Sequence, residues 1–174
     1  MPKDWEGHPR YPSLYGLYQH VDTGGCEIQI ELSTQKATMC AAGFCRIEHH
    51  TEGVPKDVVL IMLNLGTIDR AIPSDEARRA GGFIPFACLG KKERCAEVLG
   101  HELAHVARLL TDPDYRRLYL ERQTLADTGS EDLRLIGKLT RLIEHPAEAA
   151  EVEIWRELTA GRQAKMGQSV WMPR

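Results

Sequence analysis

The sequence predicts an α+β fold, with a small, mostly antiparallel sheet in the first half and a helical second half. Three observations carry this. Residues 26–32 alternate strictly between apolar and polar side chains, the period of a half-buried strand. Residues 58–63 form a short, continuous apolar run, which suits a strand covered on both faces. After residue 90 glycine and proline become sparse and apolar residues recur at helical spacing. Strands first and helices later is the order of an α+β chain.

The elements follow in order. Residues 1–25 are rich in Tyr, His, Gly and Pro and close on the turn signal Asp22-Thr23-Gly24-Gly25, so they read as an irregular start. Residues 43–48 alternate more weakly and could pair with the strand at 26–32. The run at 58–63, bounded by Pro55 and Gly66, reads as the central strand. Pro73, Gly81, Gly82 and Pro85 punctuate an irregular stretch from about 66 to 90. One long helix is expected over 91–110, stopped by Asp112-Pro113. Two amphipathic helices are expected over 115–126 and 131–143, with Leu135, Leu139, Leu142 and Ile143 as a core stripe. A fourth is expected over 146–158, with Pro146 at its first position.

Length and composition narrow the function. The 174 residues, 43% hydrophobic and 27% charged, suit a single domain over 1–174 rather than a disordered chain. A net charge of −3 gives no basic excess for a nucleic-acid partner, and 6% aromatics argue against a base-stacking surface. No apolar run approaches bilayer length and the first residues lack a signal core, so no membrane partner is expected. Five cysteines form no CxxC pair. That favours a reduced, cytoplasmic setting.

The chemistry lies within the long helix, in Val98-Leu99-Gly100-His101-Glu102-Leu103-Ala104-His105-Val106-Ala107. His101 and His105 are one helical turn apart, so both imidazoles project from one face. Neutral imidazoles at that spacing can take two corners of a zinc tetrahedron. Glu102 follows the first of them and can reach a water at the metal without ligating it. With this composition an HExxH arises by chance in roughly 2–3% of such chains, so its surroundings matter. Apart from the motif, residues 98–107 carry no charge. On a helical wheel Glu102 falls within the apolar arc of Cys95, Val98, Leu99, Val106, Leu109 and Leu110. A carboxylate there needs a compensating cation.

The segment resembles the active-site helix of the zincin metallopeptidases. Val98, Leu99, Leu103, Ala104, Val106 and Ala107 match the uncharged positions of that pattern, over roughly a quarter of the chain. Arg108 and Thr111 stand where the metzincin branch has glycine and histidine. The glutamate-rich end of the chain is instead similar to the gluzincin branch, as in small bacterial zinc metallopeptidase domains. The resemblance implies a Zn2+ cofactor, a peptide or protein substrate, and hydrolysis by a metal-activated water with Glu102 as general base. It also implies a third ligand from a later helix.

The third-ligand candidates lie in residues 144–153. Pro146 disfavours helical geometry at His145. Glu148 then falls in the first turn of the last helix, where a carboxylate suits the helix dipole. Ala147, Ala149 and Ala150 would let that helix approach closely, and Pro-x-Glu followed by small residues is similar to the third-ligand helix of small gluzincins. The expected metal set is His101, His105 and Glu148, with Glu144, Glu151 and His145 as alternatives. His8, His20, His49 and His50 are read as loop residues, Tyr115 and Tyr119 as core or helix-surface residues, and Cys40 and Cys45 as thiols without a role. Two other functions remain open: a zinc hydrolase of non-peptide amides, and a non-catalytic zinc-stabilised interaction or regulatory module.

Overall fold

The computed structural model describes residues 11–23, 26–33, 43–48, 58–68 and 89–169. The elements run α1 (Pro12–Asp22), β1 (Glu27–Ser33), β2 (Gly43–Glu48), β3 (Val58–Asn64), α2 (Lys91–Thr111), α3 (Pro113–Asp127) and α4 (Leu133–Ser169). The fold is α+β, as expected. His8, His49, His50 and Cys40 lie outside the described residues.

The sheet has the order β1-β3-β2. The apolar run is its middle strand, with Val59, Ile61 and Leu63 buried. β1 runs parallel to it, Ile30 opposite Ile61, and β2 runs antiparallel, Cys45 opposite the same Ile61. Two expectations are corrected here. The strands β1 and β2 do not pair with each other, and the sheet is mixed rather than mostly antiparallel. The reason is burial: β3 has no charged residue and gains most from a neighbour on each side. β1, with Glu27, Gln29 and Glu31 exposed, loses little at an edge.

The helix α1 falls where an irregular start was expected. Pro12 occupies its first turn, and Leu14 and Val21, two turns apart, are its buried contacts. α2 opens with the Gly90 N–H donating to the Glu93 carboxylate at 2.7 Å. It closes at Asp112, whose carboxylate accepts the Tyr115 N–H at 3.0 Å and so caps α3. α3 ends at Gly129, whose φ of 64° lies in the left-handed region that glycine occupies without strain.

The last helix corrects a further expectation. Pro146 neither starts nor ends a helix; it lies inside α4. An internal proline costs about 3 kcal/mol. The offset is one unbroken buried stripe, Leu139, Ile143, Ala147, Glu151, Ile154 and Leu158, spaced by fours and a three across the proline. Splitting the helix would split that stripe. Leu142, expected in the core, is 48% exposed on the other face.

α4 lies against α2 at a position that tolerates no side chain. A Cβ on Gly100 would sit 2.2 Å from Ile154 Cδ1 and 3.3 Å from Leu14 Cδ1. Ile154 is fully buried, so its side chain has no void to turn into. Gly100→Ala would gain up to about 1 kcal/mol of helix propensity and lose about 1–3 kcal/mol to overpacking. We therefore expect Gly100→Ala to lower unfolding stability by up to about 2 kcal/mol, read from denaturant midpoints. Adding Ile154→Val, which removes the obstructing methyl group, should make the double variant about 1 kcal/mol more stable than the two single losses sum to. Strict additivity would show that the helices are not in contact at this point.

Candidate metal centre

The close approach of α2 and α4 sets His101 between two carboxylates of α4. The Nε2 atom of His101 is 3.1 Å from Glu144 Oε2, and its Nδ1 is 3.5 Å from Glu151 Oε2. Glu144 and Glu151 are seven residues apart, about two turns, so they share one line along the helix and bracket the ring. His105 Nε2 is 3.1 Å from His101 Nε2 and 3.5 Å from Glu144 Oε2. His101, His105 and Glu144 thus form a group that could hold a metal ion.

The dimensions fit a tetrahedral ion. Zinc bonds of about 2.0–2.1 Å require donors roughly 3.3 Å apart. The three separations here are 3.1, 3.1 and 3.5 Å.

The far side of each ring is also held. Tyr115 Oη lies 2.5 Å from His105 Nδ1 and donates to the Ile143 carbonyl at 3.2 Å. With its proton committed there, the hydroxyl accepts from Nδ1–H. His105 is then the tautomer whose Nε2 lone pair faces the cluster. Glu151 does the same for His101 Nδ1. A ligating histidine commonly has its second nitrogen held by a carboxylate, carbonyl or water, which fixes the ring and raises its basicity. Glu97, one turn before His101 and 4% exposed, hydrogen-bonds to Glu151 in turn.

The electrostatics reflect crowding by acids. Burial pushes His105 below its ordinary value, which keeps it neutral. Burial would lower His101 as well, but hydrogen bonds to Glu144 and Glu151 carry it up to about 10. Burial would raise Glu144, but the hydrogen bond from His101 holds it well below the carboxylate range. Glu97 is pushed up by burial and by Glu151 beside it.

Glu102 is 5% exposed. Burial lifts its carboxyl to about 7, against the pull of His101. It accepts a hydrogen bond from the backbone N–H of Cys45 in β2. A Cβ on Gly43 would come within 3.0 Å of its Oε1, so only glycine lets the carboxylate lie this close to the strand.

The Cys45 carbonyl and both main-chain groups of Ile47 at this edge of β2 are taken by α3. Tyr119 donates to the Cys45 carbonyl at 2.6 Å. Gln123 accepts from the Ile47 N–H at 3.1 Å and donates to its carbonyl at 2.8 Å. Arg46 adds a two-pronged pair with Asp127.

The structure brings together His101, His105 and Glu144, with Glu102 alongside on α2, and does not bring Glu148 to the group. The assignment of Glu148 rested on a helix starting at Pro146. Because α4 is continuous, Glu148 is turned by roughly 40° from Glu144 and 60° from Glu151. The seven-residue spacing of Glu144 and Glu151, beside a stripe that ignores Pro146, was the available signal. Glu97 and the supporting hydroxyl of Tyr115 were also missed; His20 is exposed at the end of α1, and His145 is exposed as well.

Compared with protein-family models, curated proteins and solved structures, the chain matches none.

Glu144→Ala should weaken zinc binding at least about 100-fold in a competition titration, as expected when one of three protein ligands is lost. Glu151→Ala should cost about 10–100-fold by releasing His101. Glu148→Ala should change affinity by less than about threefold. A larger loss from Glu148→Ala than from Glu144→Ala would reverse the assignment.

Proposed function

We propose that this protein is a zinc-dependent hydrolase of amide bonds that acts as a peptidase. The observation that carries the reading is the donor triangle of His101, His105 and Glu144, with both rings held from behind and Glu102 buried beside it. The three donors would hold the ion. Zinc bound there would polarise the amide carbonyl and lower the pKa of a coordinated water to roughly 7.

The remaining work falls to the chain. Glu102 would take a proton from the attacking water as its oxygen bonds to the carbonyl carbon, and then pass that proton to the nitrogen as the C–N bond breaks. Burial raises this carboxyl, which helps it hold the proton between the two steps. The Cys45 N–H and Gly43 fix its position, and Tyr115 and Glu151 fix the rings.

A purely structural zinc module is a weaker reading. Such sites are closed, whereas the His101 and Glu144 side chains are 21% and 35% exposed, which leaves an approach for a reactant. A structural site also gives no reason to bury Glu102.

Elemental analysis of protein purified without added metal should find about one zinc per chain. Glu102→Gln should keep that zinc and the wild-type fold, and should lose amide hydrolysis by at least about 100-fold. Full activity in Glu102→Gln would exclude this mechanism. A chain that neither carries nor takes up zinc would exclude the metal.

A further inference from the structure

The proposed hydrolase must hold its substrate, and among the described residues the usual purchase for an extended peptide is largely taken. An edge strand binds a peptide through outward-facing N–H and C=O groups. β2 is the edge strand beside Glu102, and both such groups of Cys45 and of Ile47 are already bonded to Glu102, Tyr119 and Gln123. A peptide could pair with Cys45 and Ile47 only by displacing α3 and Glu102, which gives side chains a larger part in recognition.

One side chain stands out. Arg122 lies one turn beyond Tyr119 on α3 and is half-buried. Among the described residues it has no carboxylate within ion-pair distance, and its one hydrogen bond is from Nε to Thr140 Oγ1 at 3.4 Å. Thr140 is one turn before Glu144 on α4, so this bond ties the guanidinium to the helix that carries the third donor. Arg122 also shares a face of α3 with Tyr115 and Tyr119, whose rings stand about the His105 imidazole at centroid distances of 6.4 and 5.9 Å. Arg122 therefore lies on the face of α3 that is turned toward His105. Elsewhere the fold pairs such a group: Arg46 meets Asp127 with both terminal nitrogens, although both side chains are 42% exposed. The Arg122 terminal nitrogens have no protein partner among the described residues, and a planar carboxylate is what such a fork fits best.

We propose that Arg122 binds a carboxylate of the substrate, so that the site acts on short, acidic amides or on the carboxylate end of a peptide rather than on the middle of an extended chain. This rests on the hydrolase reading above and narrows its substrate.

The test uses the full-length protein loaded with Co2+, whose thiolate complexes are coloured. It is titrated with mercapto acids of increasing chain length and with the matching mercapto amides. The thiol reports on the metal and the carboxylate on Arg122. In the wild type at least one mercapto acid should bind about tenfold or more tightly than its amide. In Arg122→Met that preference should fall to near one, while the thiolate band remains with both ligands. Arg122→Lys, which keeps the charge without the fork, should fall between them and serves if Arg122→Met does not fold. Equal binding of acid and amide by the wild type at every length, or a preference that survives in Arg122→Met, overturns the proposal. A protein that gives no thiolate band with any ligand lacks an open metal site, and the hydrolase reading fails with it.

A second arm separates the two sources of the carboxylate. N-acyl dipeptides ending in a free carboxylate are compared with amidated ones ending in aspartate. Cleavage of the first alone assigns Arg122 to a chain terminus, and cleavage of the second alone to an acidic side chain. Equal cleavage of neutral amidated dipeptides contradicts both.

Discussion

The distance between two helices governs the rest of this structure. α2 and α4 meet where Gly100 faces Ile154, with no room for a Cβ between them. His101 follows Gly100 directly, so the contact that brings the backbones together also carries its ring onto α4. There it meets Glu144 at one nitrogen and Glu151 at the other. α3 is locked to the same arrangement by one hydroxyl. Tyr115 holds His105 Nδ1 and donates to the carbonyl of Ile143, the residue before Glu144. A change of about an ångström in the approach of α2 to α4 would open the donor triangle.

The cost of this packing is buried acid. Glu97, Glu102 and Glu151 are each 5% exposed or less, and Glu144 stands at the rim. Interiors do not accept carboxylates without a compensating charge. Among these groups His101 and Glu102 are both held above their ordinary values. A divalent cation among the three donors would supply that charge. The site is thus organised by repulsion that a metal would relieve, while the fold itself is held by the apolar contacts of Ile61, Val106, Ile154 and Trp155.

Much of this was legible in the sequence, for reasons that can be named. His101 and His105 are four residues apart on a single helix and Glu102 is next to the first, so local periodicity alone places them on adjoining faces. β3 was legible as the middle strand because its apolar run has no polar face to expose. The pairing of β1 with β3 was not, since the partner of a strand is decided by burial across the sheet and not within the strand. α1 was hidden among Gly, Tyr and His residues that read as turns, although Leu14 and Val21 keep helical spacing. Pro146 locally favours a helix start and so points to Glu148, but the buried stripe running from Leu139 to Leu158 outweighs one proline and keeps the helix continuous. The roles of Tyr115, Glu151 and Arg122 depend on the mutual placement of α2, α3 and α4, which no local pattern encodes.

The central claim is that two imidazoles and one carboxylate of this chain make a metal site with room for a further ligand. X-ray absorption at the zinc edge of the loaded wild-type protein tests it most directly. The account predicts two imidazole ligands and at least two oxygen ligands, all at roughly 2.0–2.1 Å, with the imidazole scattering reduced to one ring in His105→Ala. A shell without imidazole, a shell containing sulfur, or one filled by four protein ligands would contradict it.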